Sequence, residues 1–287
     1  MVLVAVLTAI ANQYSETTHA ASRNLQDFFA CIRHAAVAKI RSKVTRSISI
    51  EDHWLKYSEK KYGKTLVWET RVMVNVLVLY VPIILFWALF FQQGSRWIFQ
   101  AMRMNGDIGL FTVIPEQLSV INPLLVLLLI PVFERVVNPL LANLRIITDL
   151  QKTTMGGVLA GVAFLLSAMV EWQLENGKYL HMTWLLPQIT IMSMAEILVT
   201  IPMMNFSYTV APKSMKTMLQ TCNNLTMGLG NLLVIIVVKL NLFESQACEF
   251  ILFAVLMFLD MILFAFLAKR YKPSLEESTE EGKSFIK

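Results

Sequence analysis

Six long apolar runs, separated by short polar stretches, leave this chain few ways to fold. They cover residues 72–91, 119–141, 154–172, 184–208, 215–240 and 248–268. Crossing the hydrocarbon core of a bilayer takes roughly 20 helical residues, and each run is close to that length. A segment in lipid must satisfy its own backbone hydrogen bonds, so each run is expected to be an α-helix. The composition agrees: 56% of residues are hydrophobic and 16% charged, with a mean hydropathy of +0.57. The expected fold is therefore an all-α membrane protein whose partner is the lipid bilayer.

Residues 13–70 are different in kind. They are polar and basic, with Arg33, Lys39, Arg41, Lys43, Lys60 and Lys61 among the cations, and are expected to form a cytoplasmic linker. Within them, residues 26–44 fit two descriptions: an amphipathic helix on the membrane surface, or a solvated helix linking two bundles. Residues 71–270 hold the six spans. Residues 271–287 form a tail whose acidic cluster, Glu276, Glu277, Glu280 and Glu281, reads as a solvated stretch. Within residues 1–12 the apolar run Met1–Ala11 is short; eleven helical residues reach only about 16 Å. With no basic residue ahead of them they are expected to be the stub of a preceding membrane helix rather than a signal peptide.

Loop charges set the orientation. If the basic linker is cytoplasmic, an alternating path places Arg145 and Lys152, Lys213 and Lys216, and Lys269 and Arg270 on the same side. The opposite loops hold Asp107, Glu116, Glu175 and Glu244. This is the positive-inside pattern, and six spans return the C-terminus to the cytoplasm. The net charge of +5 is accounted for by these loops, so no nucleic-acid partner is expected. Three cysteines show neither disulfide nor zinc spacing. Four histidines, His19, His34, His53 and His181, are scattered in polar segments with no catalytic spacing to a nucleophile, and no phosphate-binding glycine loop occurs, which argues against an enzyme or an ATP-driven pump.

Polar groups inside the spans are the chemical clue, because an ionisable side chain in lipid is costly and usually faces a cavity or a partner. Glu134 lies in the second run, Glu196 in the middle of the fourth, and Asp260 in the sixth. For Glu134 and Glu196, a functional carboxylate and one simply hydrogen-bonded across the bundle fit equally; Asp260 fits the second better. Phe86 and Phe90, four apart, share a helix face with Trp87 beside them. Asn122, Asn205 and Asn223 are amides that either bind helices together or face a polar pocket.

Several motifs, in order, carry a resemblance. Leu85-Phe86-Trp87-Ala88-Leu89-Phe90-Phe91-Gln92-Gln93-Gly94-Ser95-Arg96-Trp97 parallels F-W-A-L-F-D-Q-Q-G-S-R-W. Glu51-Asp52-His53-Trp54-Leu55 parallels E-H-W-L, and Tyr80-Val81-Pro82 parallels Y-I-P. Ile130-Pro131-Val132-Phe133-Glu134 parallels V-P-I-F-D, and Asn205-Phe206-Ser207-Tyr208 parallels E-F-S-Y. Over residues 25–272 the chain resembles the C-terminal half of the proton-coupled oligopeptide transporters, of the major facilitator superfamily. The resemblance implies a six-helix bundle forming one half of that fold, built from two three-helix repeats. It implies plasma-membrane symport of di- and tripeptides driven by the proton gradient, with no cofactor and with an N-terminal six-helix bundle as partner. By the same resemblance Phe86, Trp87, Phe90, Gln93 and Asn122 line the substrate cavity, and Glu196 matches a glutamate of the tenth family helix. Glu134 matches the acidic half of an intramembrane ion pair.

Four positions depart from the family. Phe91 replaces an aspartate, Asn75 a basic residue, Asn205 the glutamate that receives the peptide's amino terminus, and Asn223 a pocket tryptophan. Peptide binding is thus expected to be weak or altered. The alternative implied by these losses is a non-transporting membrane protein that partners or regulates an intact transporter.

Overall fold

The computed structural model describes residues 25–40, 54–107, 109, 112–143, 146–212, 214–240 and 245–271, with only the backbone of 236–240. The expected stub at 1–12, the residues Glu51-Asp52-His53 and the acidic tail lie outside them. The described residues are overwhelmingly helical. Apart from the single turn Glu59–Tyr62, the α-helices of the described residues are α1 (25–40), α2 (Lys64–Phe90), α3 (Arg96–Ala101), α4 (Leu118–Val132), α5 (Asn138–Asn143), α6 (Asp149–Glu175), α7 (Leu186–Val210), α8 (Lys216–Leu240) and α9 (Gln246–Arg270).

All six apolar runs are helices. Among the described residues five stretches are long and apolar enough to cross a membrane: Lys64–Ala101, Pro115–Asn143, Asp149–Glu175, Met182–Val210 and Gln246–Arg270. The remaining run forms α8, whose 25 residues reach about 37 Å. Its first half is diluted by Gln220, Thr221, Asn223 and Asn224.

Helix ends follow local chemistry. Thr148 caps α6 in a reciprocal box: its hydroxyl accepts from the Gln151 amide, and the Gln151 side chain accepts from the Thr148 amide. Ser245 caps α9 by accepting from the Cys248 amide. Pro187 lies in the first turn of α7, where a missing N–H costs nothing. Pro202 is carried inside α7 without ending it. Between α4 and α5 the chain makes a π-turn over Phe133–Val137, where the Asn138 amide reaches the Phe133 carbonyl. The next residue, Pro139, has no N–H for an ordinary bond to Arg135, which favours the wider turn.

Two compact units emerge, one drawn from Met1–Val78 and Ser207–Cys222, the other from Leu79–Phe206 and Asn223–Tyr271. In the first, α1 buries Cys31 and Ala35 against Leu55 and Val67, with Ile32, Trp54 and Tyr62 around them. The Ser58 hydroxyl donates to the Cys31 carbonyl and sits 3.1 Å from His34 Nδ1. Gly63, at φ +81°, turns the chain into α2 in a conformation suited to glycine. The Ser214 hydroxyl donates to Glu69, fixing the α7–α8 turn on the start of α2.

In the second unit α6 and α9 pack along one another through small residues. A Cβ on Gly157 would collide with Met261, and one on Gly161 with the Phe258 ring. Gly156 faces the other way, against Ala195, Leu198 and Val199 of α7. Such glycines let helix backbones approach closely, which matters in lipid, where no hydrophobic effect drives association. Phe164 joins Trp97 and Phe253 at ring-centroid distances of 6.1 and 5.6 Å. Past the end of α9, burial pushes the Tyr271 phenol up to about 12, and its ring meets Phe206 edge-on.

Candidate functional site

The site is built where α2 ends. Apolar residues carry α2 to Phe90; then Phe91–Gly94 tighten into a 3-10 turn, held by Ser95 donating back to Gln92. This leaves four aromatic rings, of Phe86, Trp87, Phe90 and Phe91, within six residues. Phe86 lies 5.4 Å from Trp87 and 6.1 Å from Phe90, and Trp87 stacks on Phe91 at 5.7 Å. Phe86, Trp87 and Phe90 are buried.

Beside this cluster is a cavity of about 240 Å³ between the end of α2, α3 and the starts of α4 and α7. Its walls include Phe90, Phe91, Gln93, Trp97, Asn122 and Gln188. Thus, of the residues singled out in the sequence, Phe90, Gln93 and Asn122 line one space. Phe86 and Trp87 stand in the aromatic cluster next to it rather than on its wall.

Asn122 connects the cavity to Glu196. Its amide nitrogen donates to Glu196 Oε2 at 2.9 Å, and its amide oxygen accepts from the Ser193 hydroxyl at 2.5 Å. Ser193 and Glu196 are three apart on α7 and present one face to α4. Both ends of the Asn122 amide are used, so its orientation is fixed and Glu196 has a definite neutral partner. Elsewhere, Asn205 is exposed on α7, and Asn223 is half-buried on α8 with its carbonyl accepting from Thr226. Glu134 is exposed on the π-turn, and Asn75 is half-buried on α2. Neither Glu134, Asn205 nor Asn223 is hydrogen-bonded to the Asn122–Glu196 pair, whose side-chain bonds run between Asn122, Ser193 and Glu196.

A second polar set lies nearby. Gln188 donates to Gln100, and Gln100 to the Ser167 carbonyl, a buried chain across α7, α3 and α6. Arg103 pairs with Glu171 and also donates to Gln246; Arg96 pairs with Glu249 at 2.8 Å. Sequence reasoning passed over Ser193, Gln188 and both ion pairs. Ser193, Glu196 and Thr200 recur at i, i+3 and i+7 on an apolar helix, a polar stripe that marks the first of them. Glu171 and Arg103 sit near predicted span ends, where a charge attracts no notice. Among the described residues there is no His, Cys, Asp and Glu cluster able to hold a metal ion.

Comparison with known proteins agrees with this architecture. The profile of the POT family matches residues 1–247. Solute carrier family 15 member 2 of Rattus norvegicus is 37% identical over 177 residues, 61% of this chain and 24% of that protein. Solute carrier family 15 member 1 of Homo sapiens is 35% identical over 147 residues, 51% of this chain and 21% of that protein. The structure of an auto-inhibited POT family peptide transporter overlays with a TM-score of 0.68 at 25% identity, covering 90% of this chain and 54% of that one. The POT family transporter PepTSo gives the same score and identity over 86% of this chain and 54% of its own. The chain thus spans about a quarter of the length of the curated relatives it matches and about half that of the solved ones. With a profile match over most of its residues and helices that overlay those of solved members, the chain belongs to the POT family.

Proposed function

We propose that this chain supplies the C-terminal bundle of a proton-coupled symporter of di- and tripeptides. The observation that carries the reading is the Asn122–Glu196 pair beside the cavity: a polar contact between two apolar helices at a space walled by aromatic rings. Names of its relatives support the substrate class, since two solved ones are POT family transporters and one of these is called a peptide transporter. Transport by rocking requires a second bundle, so an N-terminal six-helix bundle is the proposed partner. The proton gradient is the proposed driving force, and the plasma membrane with a cytoplasmic C-terminus the proposed setting.

Uptake of a labelled dipeptide into proteoliposomes at acidic and neutral external pH tests this. The chain alone is compared with a fusion carrying a relative's first six helices. Proton-stimulated uptake by the fusion only is the expected result. Uptake by neither, with insertion verified, favours the second reading, a non-transporting partner or regulator, which the losses at Asn75, Phe91, Asn205 and Asn223 support.

Asn205 offers a gain-of-function check. A charge-assisted hydrogen bond contributes about 1.5–3 kcal/mol against roughly 0.5–1.5 for a neutral one. In the fusion, Asn205→Glu is expected to tighten dipeptide binding about fivefold to tenfold, measured as competition with the labelled peptide. Unchanged affinity removes Asn205 from the proposed peptide site.

A further inference from the structure

Helix α1 has two apolar faces, and its own unit uses only one. Phe28, Cys31 and Ala35 are buried, the last two against Leu55 and Val67. Leu25, Phe29, Ala36 and Ile40 fall at i, i+4, i+11 and i+15, a separate stripe on one side of the helix. Phe29 and Ile40 are about 60% exposed. Arg33 borders this stripe on one side and Lys39 on the other. Asp27 points away from it.

The anchor point says what the stripe meets. Val67 is in the first turn of α2, five residues before the apolar run that begins at residue 72. Five helical residues rise about 8 Å. A bilayer of about 40–45 Å with a hydrocarbon core of about 30 Å leaves roughly 5–8 Å of headgroup on each side. Packed on Val67, α1 is therefore held near the level of the lipid headgroups. An exposed apolar stripe edged by cations is the pattern of a helix lying in that layer, its apolar side chains sunk toward the acyl boundary and its cations near lipid phosphates.

We propose that α1 binds an anionic lipid surface through the Leu25–Phe29–Ala36–Ile40 stripe, with Arg33 and Lys39 facing the headgroups. It is a lipid-sensing contact distinct from the substrate cavity and does not depend on transport. Charge selects the lipid: basic residues near a membrane favour leaflets containing phosphatidylserine.

The test uses the full chain in nanodiscs, with Cys222→Ser and Cys248→Ser leaving the buried Cys31. A nitroxide is attached at Phe29→Cys or, as a solvent-side control, at Asp27→Cys. Both positions are exposed, so the fold tolerates them. In phosphatidylserine-containing discs the label at 29 is expected to be relaxed more by oxygen than by a water-soluble nickel chelate, with the reverse at 27. Adding Arg33→Glu is expected to reduce the oxygen-to-nickel contrast at 29 at least twofold. Nickel access at 29 equal to that at 27 overturns the proposal in favour of a solvated helix. Shielding from both reagents overturns it in favour of a protein segment covering the stripe. The same contrast in phosphatidylcholine discs overturns the selection for anionic lipid.

Discussion

Arg103→Met is expected to destabilise the helical bundle by about 3 kcal/mol, more than the loss of its partner does. Arg103 and Glu171 form an ion pair in which Glu171 is fully buried, whereas 44% of the Arg103 side chain is exposed. The second carboxylate oxygen of Glu171 has no hydrogen-bond partner. Removing the arginine strands a buried carboxylate, for which losses of about 3–5 kcal/mol are typical; the lower end applies because the arginine is partly solvated. Glu171→Gln leaves a partly hydrated cation that keeps its 2.8 Å bond to Gln246, so its expected cost is about 1 kcal/mol. Replacing both by Met removes the stranded charge and is expected to recover most of the loss. Thermal unfolding of the purified protein in one detergent, followed by tryptophan fluorescence, ranks the three variants. Equal losses from the two single variants would show that burial of the carboxylate does not set the cost.

Gly156→Leu is expected to lower stability by about 3 kcal/mol, near the top of the range for overpacking. A Cβ at Gly156 comes within 2.9 Å of the Ala195 carbonyl oxygen, a backbone atom of α7, as well as the side chains of Val199 and Leu198. The neighbouring helix must move away to accommodate it. At Gly157 the nearest atoms all belong to the Met261 side chain, which has rotamers to spare. Gly157→Leu is therefore expected to cost about half as much. The comparison is made on the same unfolding assay, and a larger loss at Gly157 would mean that α6 is held mainly by α9 rather than by α7.

The membrane helices were legible because their signal is local: runs of apolar residues long enough to span lipid. Their ends were less so, since α2 and α6 begin with polar turns, at Lys64 and Asp149, which hydropathy does not include. The π-turn at Phe133–Val137 was invisible for a related reason. It depends on how backbone carbonyls find partners near Pro139, and composition records only that a proline is present. Within the site, residue types pointed to Asn122 and Glu196 separately, and the bond between them spans 74 positions. The pairing of Arg103 with Glu171, 68 apart, was hidden in the same way. Tertiary geometry decides such pairs, and one sequence contains no record of it.

The π-turn has a consequence for the history of this helix. Phe133 and Leu141 are both buried in one cluster with Ile197 and Leu198. In an uninterrupted α-helix residues eight apart are rotated by about 80°; one extra residue absorbed in a wide turn brings them back to nearly the same side. The turn therefore behaves as the scar of a one-residue insertion that left the packing on either side in phase. A helix with such a turn can lose or gain a single residue there without re-registering its neighbours, so length variation among related sequences is expected to concentrate at this point of the α4–α5 segment.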